Sequence, residues 1–226
     1  FASIRSIVNL SIKEYGLSCD NAFAQTFIPD RNDVTRRLPI PTVHLRLIQK
    51  TCRSTDDDLR WLIALISDSG MRQAEAAGLL KADIQLDHEI PHVSLKPYAW
   101  RQLKTANSER VIPFVGTSLG AARRILECTD TEFAFPRFTN ETRCNSNSAS
   151  ATLNKWMRPY VPDGCVVHSY RHSLRDRLRA VETSSEIADV LGGWTNKSVG
   201  QSYGKGYNLP VLQRWMKWLE ECSSSG

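Results

Sequence analysis

A mainly α-helical domain with one small antiparallel β-sheet, an α+β class, is the fold the sequence predicts, and three observations predict it. Apolar residues recur three and four positions apart along most of the chain. Three short runs of strand character fall close together between Ala82 and Phe114. Turn-forming residues separate those runs, as an antiparallel arrangement requires. Taken in order, residues 3–16 place Ile4, Ile7, Val8 and Ile12 at helical spacing, with Gly16 as a stop. Ser18 to Pro41 carries Pro29, Pro39, Pro41, Arg36 and Arg37 and reads as an extended basic linker, which sets a domain boundary near residue 40. Thr42 to Cys52 and Asp56 to Asp68 read as helices. The three aspartates 56–58 suit a first helical turn, and Trp61, Leu62, Leu65 and Ile66 form the apolar face. A third helix is expected from Arg72 to Leu80. The strands are expected at Ala82–Leu86, His92–Leu95 and Arg110–Phe114. Helices follow at 118–128, 148–158, 168–181, 184–191 and 209–221, and the Asn-, Ser- and Thr-rich stretch Thr139–Ser150 reads as a polar loop.

The chain has 226 residues, 41% hydrophobic and 23% charged, which suits one large domain or one domain plus a fragment of another. It opens on Phe1 and reads as part of a longer protein. Lys and Arg number 29 against 24 acids, a net charge of +5, which favours polyanionic partners. No apolar run approaches the ~18 residues of a membrane span. The six cysteines form no CxxC pair, which argues against a zinc knuckle and suits reduced cytosolic thiols. There is no P-loop and no GxGxxG, so nucleotide hydrolysis has no visible machinery.

Chemistry concentrates at a few positions. Arg72 follows a Gly70 turn and opens a helix, where its charge opposes the macrodipole and asks for another purpose. His168, Arg171 and His172 share a helix face. His168 and His172 lack a third ligand and sit beside an arginine that would repel a metal ion, so an anion is the better partner for this face. Leu191-Gly192-Gly193-Trp194 precedes a polar run that ends at Tyr203. Lys104 lies in a polar link between two expected strands.

These residues resemble the tyrosine recombinase, or phage integrase, family. SGMRQAEAAGL, LKTANSERVIP, HSYRH, LGGWTN and Tyr203 occur in the family's order. Lys104 is 32 residues after Arg72, His168 is 64 after Lys104, and Tyr203 is nine after Trp194. Trp194 in place of the commoner histidine looks like the variant in the Cre recombinase. The resemblance covers residues 41–226 as a catalytic domain with the family's fold, with residues 1–40 as the end of an N-terminal DNA-gripping domain plus linker. It implies a site-specific enzyme that cleaves and rejoins double-stranded DNA through a 3′-phosphotyrosyl intermediate, without cofactor or metal. It implies a homotetramer on DNA in the cytoplasm of a bacterial host, close to the nucleoid. A type IB topoisomerase and a non-catalytic DNA-binding relative are the alternatives.

The implied roles match the chemistry of the groups. Arg72 and Arg171 offer fork-shaped donors to the non-bridging oxygens. Trp194 can only donate. Tyr203 is the nucleophile and needs help to lose a proton at its ordinary pKa of ~10. His168 is the base or shuttle, and Lys104 is the acid for the leaving oxygen, with Lys96 as its rival. Glu75, one turn beyond Arg72, can orient the arginine or the histidine, and His172 buttresses the box. Tyr207, Tyr170 and Tyr160 lack the nine-residue offset. The apolar stripe Val211, Leu212, Trp215, Trp218, Leu219 and Cys222 reads equally as a face packed on its own domain or as a docking surface for a neighbouring protomer.

Overall fold

The structure, a computed structural model, describes residues 2–26, 37–103, 108–194 and 206–224. It divides into two compact units, Phe1–Arg36 and Arg37–Gly226. In the first unit, α1 (Ala2–Glu14) ends in a turn at Gly16, whose φ of 58° is a left-handed conformation that glycine adopts without strain. Residues 18–26 do not extend as expected of a linker. Asn21 donates to Arg5 O at 3.0 Å and to Asn9 Oδ1 at 2.7 Å, and Arg5 Nε donates to Phe23 O at 2.6 Å. Side chains thereby satisfy the backbone carbonyls and fold this segment against α1.

The second unit runs α2 (Thr42–Thr55), α3 (Asp58–Ser69), α4 (Gln73–Ala77), a 3-10 turn (Lys81–Asp83), β1 (Ile84–Gln85), β2 (His92–Leu95) and β3 (Arg110–Pro113). It continues with α5 (Gly116–Cys128), α6 (Ser146–Met157), a second 3-10 turn (Arg158–Tyr160), α7 (Ser169–Ala180), α8 (Ser185–Gly192) and α9 (Leu209–Ser224). The sheet is antiparallel in the order β1-β2-β3, with Leu95 opposite Arg110 and Val93 opposite Ile112. The described helices and this sheet are the α+β arrangement that the sequence predicts.

Helix α3 is the centre of the core. Asp57 caps it by accepting from Arg60 N at 3.0 Å, and every residue from Leu62 to Ser69 is buried. It packs on α2, α4, α5 and α7. Gly70 ends it with φ 61°, and any Cβ there would overlap Leu174 of α7, so the sharp exit toward Arg72 requires glycine. Helix α9 buries Leu212, Met216 and Leu219 against its own unit, packing on β3 and α7. Trp215 packs partly against the same core and stacks on the exposed Trp218 with ring centroids 5.5 Å apart.

Three expectations need correction. The helix expected over 72–80 stops at Ala77, because the backbone beyond it pairs with residues 132–134: Ala134 N donates to Leu79 O at 2.9 Å and Lys81 N to Glu132 O at 2.7 Å. The strand expected at 82–86 shrinks to Ile84–Gln85, because Asp83 accepts from Leu80 N at 3.1 Å and closes a 3-10 turn. The polar loop 139–150 ends early, because Asn145 caps α6 by accepting from Ser148 N at 3.1 Å. No helix among the described residues is long and apolar enough to cross a membrane.

Candidate active site

Four elements deliver the site: the turn before α4, the start of β3, the start of α7 and the end of α8. Arg72 occupies the N-cap position of α4 in extended backbone conformation. Its main-chain N–H donates to Glu75 Oε2 at 2.7 Å, and its Nη1 donates to Glu75 Oε1 at 2.6 Å and to Ser108 Oγ at 3.1 Å. Its Nη2 reaches Gly193 O at 3.1 Å. A carboxylate one turn along the helix therefore offsets the awkward placement of a cation at a helix start. Arg72 keeps 22% of its side chain exposed, whereas Glu75 is buried.

Glu75 faces arginines rather than His168. Besides Arg72 it accepts from Arg110 Nη2 at 3.0 Å and Nη1 at 3.3 Å. Burial pushes the Glu75 carboxyl upward, but Arg110 and Arg72 outweigh that and hold it below the ordinary glutamate value. It is ionised at neutral pH and sits at the heart of the site, not on the surface.

Arg171 is almost fully buried in α7. Its guanidinium donates to Gly70 O and Gly192 O, each at 2.7 Å, and lies 5.0 Å over the Trp194 ring. Arg175 covers the same indole at 4.8 Å and pairs with Asp189. Two cations thus flank Trp194. Trp194 N donates to Asp189 O at 2.9 Å, which locks the chain as it leaves α8. Burial, followed by the charges of Arg72 and Arg110, lowers Arg171 to about 9 against the opposing pull of Glu75. It still carries its proton at neutral pH.

His168 occupies the N-cap position of α7 and meets His172 edge-on, with ring centroids 5.6 Å apart. Both remain exposed. Partial loss of hydration, then the charges of Arg171, Arg37, His172 and Arg72, bring His168 down to about 4. The imidazole is therefore neutral at pH 7 and able to take a proton. His168, Arg171, His172, Arg175, Arg179, Asp189 and Trp194 line an open concavity of about 330 Å³.

The structure thus brings Arg72, Glu75, His168, Arg171, His172 and Trp194 together. Lys104 and Tyr203 lie outside the described residues. The rival Lys96 is exposed at the end of β2. Of the rival tyrosines, Tyr170 is wholly buried in the core, Tyr160 packs on Trp156 with centroids 5.0 Å apart, and Tyr207 donates to Glu186 at 2.7 Å. None of the three lines the concavity. Among the described residues no group of three or more His, Cys, Asp or Glu could hold a metal ion. Sequence reasoning missed Arg110, Arg175 and Asp189. Arg110 left a signal: it shares a strand face with buried Ile112, and an inward cation on a strand demands an anion.

A helical domain with this small sheet is the tyrosine recombinase catalytic-domain fold. The chain belongs to the phage integrase family, whose family model matches residues 42–208. Solved structures agree. The Tn1549 transposon integrase in complex with circular intermediate DNA is 16% identical, with a TM-score of 0.61 over 95% of this chain and 76% of that one. A lambda integrase dimer bound to a COC′ core site is 15% identical, with a TM-score of 0.58 over 92% of this chain and 73% of that one. XerA recombinase is 15% identical, with a TM-score of 0.53 over 94% and 72%. Comparison with curated proteins finds no match.

Proposed function

We propose that this chain cleaves and rejoins specific sites in double-stranded DNA through a covalent 3′-phosphotyrosyl link. One observation carries the reading. Three arginines, Arg72, Arg110 and Arg171, gather around the single carboxylate of Glu75, which leaves an excess of positive charge beside an open concavity. Such a site suits an anion, and a phosphodiester presents two non-bridging oxygens to paired guanidiniums. The integrases of Tn1549 and lambda, which share the fold, were both solved bound to DNA.

The step follows from the groups. The Tyr203 phenol oxygen attacks phosphorus, and its proton passes to neutral His168. The bond to the 5′-oxygen breaks, and that oxygen takes a proton from Lys104. Arg72, Arg171 and the Trp194 indole N–H hold the non-bridging oxygens as charge builds on them. A 5′-hydroxyl from a second strand then reverses the step. One phosphoester replaces another, so no nucleotide is consumed and no metal is required. Exchange between two duplexes calls for four active sites, a tetramer on DNA.

The test starts with a pool of nicked duplexes of random sequence. Those captured covalently by the chain reveal its site, and the selected duplex becomes the substrate. Tyr203→Phe abolishes capture and leaves affinity for that duplex nearly unchanged. An adduct that persists in the variant, or one mapped to another tyrosine, overturns the assignment. Capture and relaxation of plasmids of arbitrary sequence would favour a topoisomerase instead.

A further inference from the structure

Three successive carbonyls at the end of α8 each accept from a different arginine. Arg110 Nε donates to Leu191 O at 3.0 Å, Arg171 Nη2 to Gly192 O at 2.7 Å, and Arg72 Nη2 to Gly193 O at 3.1 Å. A helix C-terminus leaves its last carbonyls unpaired and partially negative, so it is a natural seat for cations. Three elements distant in sequence are thereby keyed to one short stretch of backbone, and that stretch runs directly into Trp194.

Arg110 differs from the other two. It enters from β3, is buried, and directs its remaining bonds inward, to Glu75 and to Ser108 O at 2.8 Å. Four of its five N–H groups are thus engaged within the protein. Gly193 is shaped to admit it: φ is 58°, and an added Cβ would sit 2.8 Å from Arg110 Nη1.

We infer that Arg110 is a positioning residue for strand cleavage: it holds the Glu75 carboxylate that grips Arg72, and it pins the end of α8 that carries Trp194. The inference rests on the phosphotyrosyl reading above. Glu75 accepts both the main-chain N–H and Nη1 of Arg72, and it is oriented from its other side by Arg110. The same guanidinium fixes Leu191 O, so one side chain sets the distance between Arg72 and the Trp194 turn. A displacement of ~1 Å at such a point costs about 10²-fold in rate.

Arg110→Lys is the informative variant. It keeps a positive charge beside Glu75, yet one ammonium cannot span the carboxylate and Leu191 O together. On the duplex selected above, single-turnover cleavage at saturating protein falls about 10²-fold, while affinity changes by no more than about threefold. In an Arg72→Lys background the same substitution costs only a further twofold or so, because the group it positions has already been lost. Should Arg110→Lys fail to fold, the pair Arg110→Met with Glu75→Gln removes both charges and is expected to show the same rate loss. A full cleavage rate per folded molecule, with only a lowered melting temperature, would reduce Arg110 to a structural brace and overturn the inference. Fully multiplicative losses with Arg72→Lys would overturn it too. If the unsubstituted chain captures no duplex at all, the phosphotyrosyl reading itself has failed, an outcome distinct from an Arg110→Lys variant that cleaves normally.

Discussion

Two arginines of helix α7, Arg171 and Arg177, are treated by the protein in opposite ways. Arg177 is neutralised. Its Nη2 donates to Asp68 at 3.1 Å, its Nη1 to Ser67 O at 3.3 Å and its Nε to Ser223 Oγ at 3.0 Å. Asp68 is further satisfied by Gln49 at 2.9 Å and by Thr117 N at 2.9 Å, so the pair braces α2, α3, α5 and α7 together. Arg171, two turns nearer the start of the helix, spends its donors on carbonyl oxygens and lies among Arg72 and Arg110. The fold matches one cation with an anion of its own and holds the other ready for an anion from elsewhere. A buried charge kept at such a cost points to function more strongly than a buried ion pair does.

The two arginines should therefore fail differently when removed, and this is the largest effect expected. Arg171→Ala lowers single-turnover cleavage of the selected duplex by about 10²–10³-fold with little change in affinity, the scale of one lost transition-state donor. Arg177→Ala strips Asp68 of its partner and costs about 3–5 kcal/mol of stability. Thermal melting reads that loss, and the rate per folded molecule stays close to normal. The contrast breaks if Arg177→Ala slows the folded molecule as severely as Arg171→Ala does.

The glycine pair before Trp194 offers a finer probe of the same pocket. A Cβ on Gly192 would overlap the six-membered ring of Trp194, so the indole keeps its place between Arg171 and Arg175 only because residue 192 has no side chain. Gly192→Ala forces the ring aside, and overpacking of this kind typically costs about 1–3 kcal/mol, or roughly tenfold in rate where the displaced group acts on the reaction. The smaller imidazole of Trp194→His, combined with Gly192→Ala, restores part of the cleavage. A single Gly192→Ala variant with an unchanged rate would show that the indole does its work from some other position.

Much of this site was readable in the sequence, and what was not has a common cause. Arg72, His168, Arg171 and Trp194 announced themselves through local order and spacing, because each sits at a helix terminus or on a helix face with a turn beside it. Arg110 did not, since its meaning lies in Glu75, 35 residues away, and in Leu191, 81 residues away. For Glu75 the sequence leaves the arginine and the histidine equally open as partners, and only the fold shows that it faces Arg72 and Arg110. Asp189 and Arg175 escaped for the same reason. The boundaries that moved at Ile84 and Ser146 were each decided by one side chain bonding the backbone, and the one at Ala77 by backbone pairing with residues 132–134, far away in sequence. The stripe on α9, readable either way, divides in the structure: Leu212 and Leu219 pack at home, while Trp218 remains half exposed.

The smallest expected effect is electrostatic and compares the two ends of α7 once more. His168 titrates at about 4, against an ordinary value of 6.5, through lost hydration first and the charge of Arg171 second. Between those two values the unfolded chain binds more protons at this residue than the folded one. Stability therefore falls as pH drops from 6.5 toward 4, although solvent around the exposed ring keeps this contribution small. NMR titration of the imidazole measures the midpoint directly. Arg171→Gln keeps a hydrogen-bonding group but removes the charge, and it moves the midpoint part of the way toward 6.5, since hydration loss, Arg37, His172 and Arg72 persist. Arg177→Gln, already neutralised by Asp68 and far along the helix, leaves the midpoint where it was. Equal shifts in the two variants would mean that the charge of Arg171 is screened as well as that of Arg177. A midpoint near 6.5 in the unsubstituted chain would mean that neither lost hydration nor the charge of Arg171 acts on the ring.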